Sequence, residues 1–315
     1  MSILVGSYKK NIYEVLIDKD NHKFLSKKII SEAEKPSFLI DYKKLSYIYM
    51  DGIKQYIKIG NESVLLSETD GACHLSYDDV NKNIYTSFYG AGILKVLSLK
   101  ENKWQLSQEI KYQEHSHIHF ALYIDNIDLV GVCDLGDNKF YLYENKDQNL
   151  IEKTHYQFKD KEGPRHFIHH KTKPIIYVLN EHKPSITVLK YEDGKLTLLE
   201  QVKLIDGAGS AIRISHDNKY LYAGVRISNY IFAFEILENG QLKLIQKVST
   251  KGDHPRDFNL VLDEQYLVVA NMHSDNLALF RLNNGKLYLE DKDFELNHGA
   301  SIMTKHNWCF FLFKV

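Results

Sequence analysis

Gly163-Pro164-Arg165-His166-Phe167 leads into an apolar segment and then into Tyr177-Val178-Leu179-Asn180-Glu181-His182. The stretch reads as a strand pair, with the ionisable groups Arg165, His166 and Glu181 at its ends. Weaker copies recur along the whole chain, so this is one unit of a repeat.

A turn marks the period. Asp193-Gly194-Lys195-Leu196, Asn239-Gly240-Gln241-Leu242 and Asn284-Gly285-Lys286-Leu287 place their glycines 46 and 45 residues apart. Asp-Gly and Asn-Gly between alternating apolar segments predict tight hairpins, because a type I′ turn needs positive φ. About 30 residues before each turn stands a second marker: Pro164-Arg165-His166-Phe167, Gly209-Ser210-Ala211-Ile212 and His254-Pro255-Arg256-Asp257-Phe258. Looser copies are Pro36-Ser37-Phe38-Leu39, Ala72-Cys73-His74-Leu75 and His117-Ile118-His119-Phe120. A third marker is a β-rich segment with a polar end, as in Ile84–Gly90, Leu129–Asp134, Ile175–Glu181, Tyr220–Arg226 and Tyr266–His273. Each unit thus carries four strands.

Four antiparallel strands in some 45 residues, without sustained helical periodicity, predict propeller blades. Two packed sandwiches would not produce so long a fixed period. The expected fold is all-β: one seven-bladed β-propeller over residues 1–315, a single domain of four-stranded blades. Ile3–Tyr8 and Ile12–Ile17 look like the second and third strands of a blade whose inner strand comes from the C-terminus. N-terminal strands then close the ring and remove its free edges. Both Ser301–Thr304 and Cys309–Phe313 fit as that inner strand.

Composition narrows the function. A net charge of −1 gives no nucleic-acid or membrane footprint. Cys73, Cys133 and Cys309 are sparse and odd in number, which predicts reduced thiols and a cytoplasmic protein. Their positions on strands suggest packing within blades. The N-terminus lacks the features of a signal peptide, and no apolar run could span a bilayer. No ligand spacing for zinc occurs, so a structural zinc is not expected, and no cofactor is expected either.

In a meander the start of the first strand and the end of the second share one face of the disk. That places His117, His119, Arg165, His166 and Arg256 beside Glu181, Arg226 and His273 at one mouth of the channel. Asp134 and Asp137 end the second strand of blade 3 and belong there too. His74 and His119 have an ordinary alternative as hydrogen-bonded turn residues. His169 and His170 read as structural, and the 21 tyrosines as blade packing. Excess positive charge in a cleft favours an anionic small molecule as partner.

Gly163-Pro164-Arg165-His166, Tyr177–Glu181, His117-x-His119 with Asp134-Leu135-Gly136-Asp137, and His254–Phe258 with Val269-Ala270-Asn271 together resemble the lactonase family of seven-bladed β-propellers. That family includes propeller-type 6-phosphogluconolactonases and is related to carboxymuconate lactonizing enzymes. The resemblance implies a carboxylic ester hydrolase that converts 6-phospho-D-glucono-1,5-lactone to 6-phosphogluconate in the pentose phosphate pathway, without a metal. It carries catalytic roles onto His117, Arg165 and Glu181. His119, His166, Arg226, Arg256 and His273 are the substrate-binding candidates. His117 is favoured as general base, because histidine titrates near neutrality and Arg165 would lower the pKa of Glu181. The chain departs from the family at Ala211, where many members carry an acid, and blade 1 lacks the Asn-Glu ending. Another anionic lactone, a cycloisomerase reaction and a non-catalytic interaction platform are the alternatives, and a homo-oligomer is left open.

Overall fold

The computed structural model describes residues 1–43, 45–69, 71–146 and 148–304. Every regular element among them is a β-strand, and no helix is long and apolar enough to cross a membrane. Five sheets have four antiparallel strands each. The eight-stranded remainder is two blades joined where Glu34 pairs with Met50. The ring therefore has seven blades. Blade 4 is typical: Pro164–His169 lines the channel, followed outward by Ile175–Asn180, Ser185–Glu192 and Lys195–Lys203.

The ring closes as the repeat implied. Ser2–Ser7 pairs on one side with Lys10–Asp18 and on the other with Gly299–Thr304, in the register Ile3↔Thr304 and Val5↔Ile302. The C-terminus thus gives blade 7 its inner strand, and the N-terminus gives the next three, ending with Lys23–Glu34. Ser301–Thr304 lies in that inner strand; Cys309–Phe313 lies outside the described residues. Blade 1 is irregular, because its inner strand is only Leu39–Ile40.

The hairpins follow turn chemistry, with one correction. Asp193-Gly194 and Asn284-Gly285 have positive φ at both positions, as type I′ requires. At Asn239-Gly240 only the glycine does. There Ile236 pairs with Leu242, so five residues form the loop, closed by Leu237 N donating to Gln241 O at 2.9 Å.

Apolar packing lies between blades. The blade 4–5 seam holds Tyr177, Leu179, Ile186 and Val188 against Ile212, Leu221, Val225 and Phe234. Strand alternation produces this, since successive side chains point to the two neighbouring blades. Cys133 is packed inside the blade 3–4 seam. Cys73 and Cys133 are both free thiols, and Cys309 lies outside the described residues.

One irregularity recurs and builds the site. In blades 2, 3, 4 and 6 the inner strand bulges near its start. Pairing jumps from Ala72↔Phe88 to His74↔Ser87, from Ile118↔Asp134 to Phe120↔Cys133, from Pro164↔Asn180 to His166↔Leu179, and from Pro255↔Asn271 to Asp257↔Ala270. The unpaired residues are Cys73, His119, Arg165 and Arg256. A bulge re-aims its residue, and here it turns four chemically active side chains out of the ladder.

Candidate active site

Arg165 stands at the centre of the mouth. It is 1% exposed, a guanidinium with almost no water. Its Nε lies 2.8 Å from Glu181 Oε2, yet no well-aligned hydrogen bond forms there. Arg226 of the next blade reaches the same carboxylate oxygen with Nη2 at 2.9 Å and donates to Gly209 O at 3.1 Å. Arg256, one blade further, donates from Nε and Nη2 to the Tyr8 hydroxyl at 2.9 and 2.7 Å. Three guanidiniums thus face a single carboxylate, an excess of two positive charges. Burial, reinforced by Arg256 and Arg226, pushes the Arg165 pKa down to about 9. It remains charged at neutral pH. Burial would raise the Glu181 carboxyl, but Arg165 and Arg226 outweigh it and hold the pKa below the usual value. Glu181 is therefore a fixed anion and a weak base.

Histidines line the mouth and the level beneath it. His119 and His166 are buried with ring centroids 5.0 Å apart, and His74 lies 6.2 Å from His166. Burial and the nearby arginines keep all three well below the normal histidine range, hence neutral. Arg165 Nη1 contacts His166 Nε2 at 3.1 Å. Arginine can only donate, so Nε2 accepts and Nδ1 carries the proton. Among the described residues that Nδ1 has no partner, and neither has His119 Nδ1 or Arg226 Nε. Orphan polar atoms this deep are uncommon and point to a missing partner.

His117 is held differently. Its Nδ1 lies 2.9 Å from the Tyr89 carbonyl, and the Tyr89 ring stacks on it at 4.4 Å. A carbonyl only accepts, so Nδ1 carries a proton and Nε2 is the nitrogen that can act as a base. The His117 backbone N donates to Asp134 Oδ1 at 2.9 Å. A Cβ at Gly136 would strike the His117 ring and the His115 carbonyl, so this turn needs glycine.

Three positions depart from the sequence reading. His273 lies at the exposed rim, stacked on His254 at 4.0 Å and 3.5 Å from Asp253. Register explains it: Met272 N donates to His254 O as Glu181 N donates to Gly163 O, so His273 corresponds to His182. Asp134 caps its own turn, donated to by Gly136 N and Asp137 N. Asp137 turns outward to His115 and Lys139. Ala211 is buried in the blade 5–6 seam beside Tyr222 and Phe258.

Tyr8, Tyr89 and Cys73 reach the mouth although the sequence reading left them in packing. Tyr8 follows the second strand of blade 7, where Glu181 stands in blade 4, with its N donating to His298 O. Cys73 occupies the bulge position of Arg165; its Sγ contacts the His119 carbonyl at 3.4 Å, and burial raises its pKa to about 11. The repeat register held this signal, because the same two slots recur around the ring. Among the described residues, no group of three or more His, Cys, Asp or Glu is arranged to hold a metal.

The chain belongs to the lactonase family: the family described as "Lactonase, 7-bladed beta-propeller" matches residues 2–304. Among relatives, it is 28% identical over 312 residues to a 6-phosphogluconolactonase of Bacillus subtilis, covering 88% of this chain and 89% of that one. A crystal structure of a Lactobacillus plantarum protein superposes with a TM-score of 0.88 at 27% identity, covering 96% of this chain and 99% of the other. The periplasmic gluconolactonase of Pseudomonas aeruginosa shares the fold with a TM-score of 0.83 at 18% identity, over 96% of this chain and 98% of that one.

Proposed function

We propose that this lactonase hydrolyses a phosphorylated sugar lactone, 6-phospho-D-glucono-1,5-lactone to 6-phosphogluconate being the best fit. The observation that carries this reading is the charge count: Arg165, Arg226 and Arg256 against Glu181 alone. A phosphate monoester brings about −1.5 to −2 charges near pH 7, whereas a carboxylate brings one. The dianion matches the excess, and guanidinium forks suit its oxygens. The resemblance to the Bacillus subtilis 6-phosphogluconolactonase supports the same substrate.

In this reading the arginines bind the phosphate and polarise the carbonyl. Water attacks the carbonyl carbon while His117 Nε2 takes its proton. Glu181 keeps Arg165 and Arg226 in place. The orphan donors of His166 and Arg226 meet substrate oxygens, which supplies the partners they lack. Free Cys73 and Cys133 favour a reducing compartment, in keeping with cytoplasmic sugar metabolism.

The test compares 6-phosphogluconolactone with gluconolactone, each with and without a chelator. The phosphorylated lactone should be preferred by at least about 10²-fold in kcat/KM, the value of losing one strong electrostatic contact. Chelation should change nothing. Equal rates on the two lactones would remove the phosphate from the reading.

A further inference from the structure

We propose that the Tyr8 hydroxyl is a catalytic hydrogen-bond donor to the oxyanion that forms on the lactone carbonyl. This rests on the lactonase reading above. Tyr8 is delivered by the N-terminal strand that closes the ring, one residue past its pairing with Gly299–Thr304. Arg256 holds the phenol oxygen with two N–H groups, at 2.9 and 2.7 Å, and its guanidinium carbon lies 5.4 Å from the ring centre.

A phenol has one proton and two lone pairs. Arg256 only donates, so both of its contacts use oxygen lone pairs, and the Tyr8 proton must point away from Arg256. Among the described residues that proton meets no acceptor. Tyr8 is partly exposed at the mouth, and its phenol oxygen is near enough to Arg165 and Arg226 to act on their charges. An O–H polarised by a guanidinium behind it, and unpaired in front, is a preorganised donor.

The step balances without Tyr8 giving up its proton. Water oxygen bonds to the carbonyl carbon, and its proton goes to His117 Nε2. The carbonyl π pair moves onto oxygen, where the Tyr8 O–H stabilises it. Collapse restores the carbonyl and breaks the ring C–O bond. The ring oxygen takes the proton back from His117.

Two variants test this, using whichever of 6-phosphogluconolactone and gluconolactone the wild type hydrolyses faster. Tyr8→Phe removes the hydroxyl and keeps the ring. O-methyltyrosine placed at position 8 by amber suppression keeps the oxygen that Arg256 grips and deletes only the proton. Both should lower kcat by about 10²–10³-fold and leave KM within about threefold, because the bond strengthens only in the transition state. If Tyr8 merely anchors Arg256, the O-methyl variant keeps its kcat, or Tyr8→Phe raises KM with kcat intact; either result overturns the proposal. If Tyr8→Phe fails to fold, the O-methyl variant decides alone, since Arg256 keeps its acceptor. A wild type inactive on both lactones would instead overturn the lactonase reading, and the Tyr8 role with it.

Discussion

The blade 4–5 seam and the blade 7–1 seam are made from the same four-strand unit and hold together differently. Between blades 4 and 5, twelve buried residues interlock, with Ile168, Leu199 and others packed against them. Between blades 7 and 1 the buried set is Leu4, Ile12, Leu39 and Met303, flanked by Leu45 and Tyr47. Polar contacts supplement the thin seam: Glu34 pairs with Met50, and the Ser31 and Tyr47 hydroxyls lie 2.9 Å apart. The charges follow the dense side. Arg165, Glu181 and Arg226 span blades 4 and 5, where the shared carboxylate and the Gly209 carbonyl hold the guanidiniums; Arg256 of blade 6 is held instead by Tyr8 of blade 7. A propeller can thin one seam without losing its ring, provided that the ends of the chain close it.

The largest effect should come from opening that closure. Deleting residues 1–17 removes the second strand of blade 7 and most of the third, and it exposes Gly299–Thr304 as a free edge. The truncated chain should lose cooperative melting altogether. A sharp transition near that of the full chain, followed by circular dichroism, would show that the thin seam does not need its N-terminal strands.

On the dense side, Arg165→Ala should lower kcat/KM by about 10²–10³-fold, roughly 3–4 kcal/mol, as for other buried oxyanion donors. Stability should change little or rise, because the like charges of Arg226 and Arg256 lose a neighbour. Arg165→Lys should recover only part, since it keeps the charge without the fork. A lower melting temperature with normal turnover per folded molecule would make the Arg165–Glu181 pair purely structural.

These regions differed in legibility. Glycine turns and the Pro-Arg-His marker are strong where blades are regular, so seven blades and the closure could be read from spacing. One geometric rule, that the first strand starts where the second ends, placed Arg165, Glu181 and Arg226 together. Period-two alternation cannot reveal a bulge, so Cys73 read as packing although it shares the position of Arg165. His273 was misplaced by one residue, because Met272 holds the slot that Glu181 fills. Tyr8 was hidden among the 21 tyrosines of the chain. Its hydroxyl matters only through Arg256, which is 248 residues away in sequence.

A smaller effect compares the seams directly. Leu221 and Leu39 are both buried leucines, one in each seam. Leu221→Ala should cost about 4 kcal/mol and Leu39→Ala about 2, the upper and lower parts of the leucine range, because a sparse seam can collapse around the loss. Urea unfolding midpoints would measure both. Equal costs would mean that the blade 7–1 seam is packed as tightly as the rest.

The smallest effect concerns the buried histidines. His74 packs against Phe120 at 3.8 Å and Phe38 at 4.5 Å, and burial, with the charges of Arg213 and Arg165, holds its pKa well below 6.5. Above pH 6.5 it is neutral whether folded or unfolded, and its contribution to stability is complete. As pH falls below 6.5 the unfolded chain takes up a proton that the native state refuses, so stability drops by about 1.4 kcal/mol per pH unit. His119 and His166 act in the same direction. His74→Phe should remove one of these three contributions. Phenylalanine fits there, since Phe120 holds the matching register position in blade 3. Between pH 6 and 5 the variant should lose stability less steeply than wild type, by about 1.4 kcal/mol per unit. Parallel curves for the two proteins would mean that His74 accepts its proton within the folded channel.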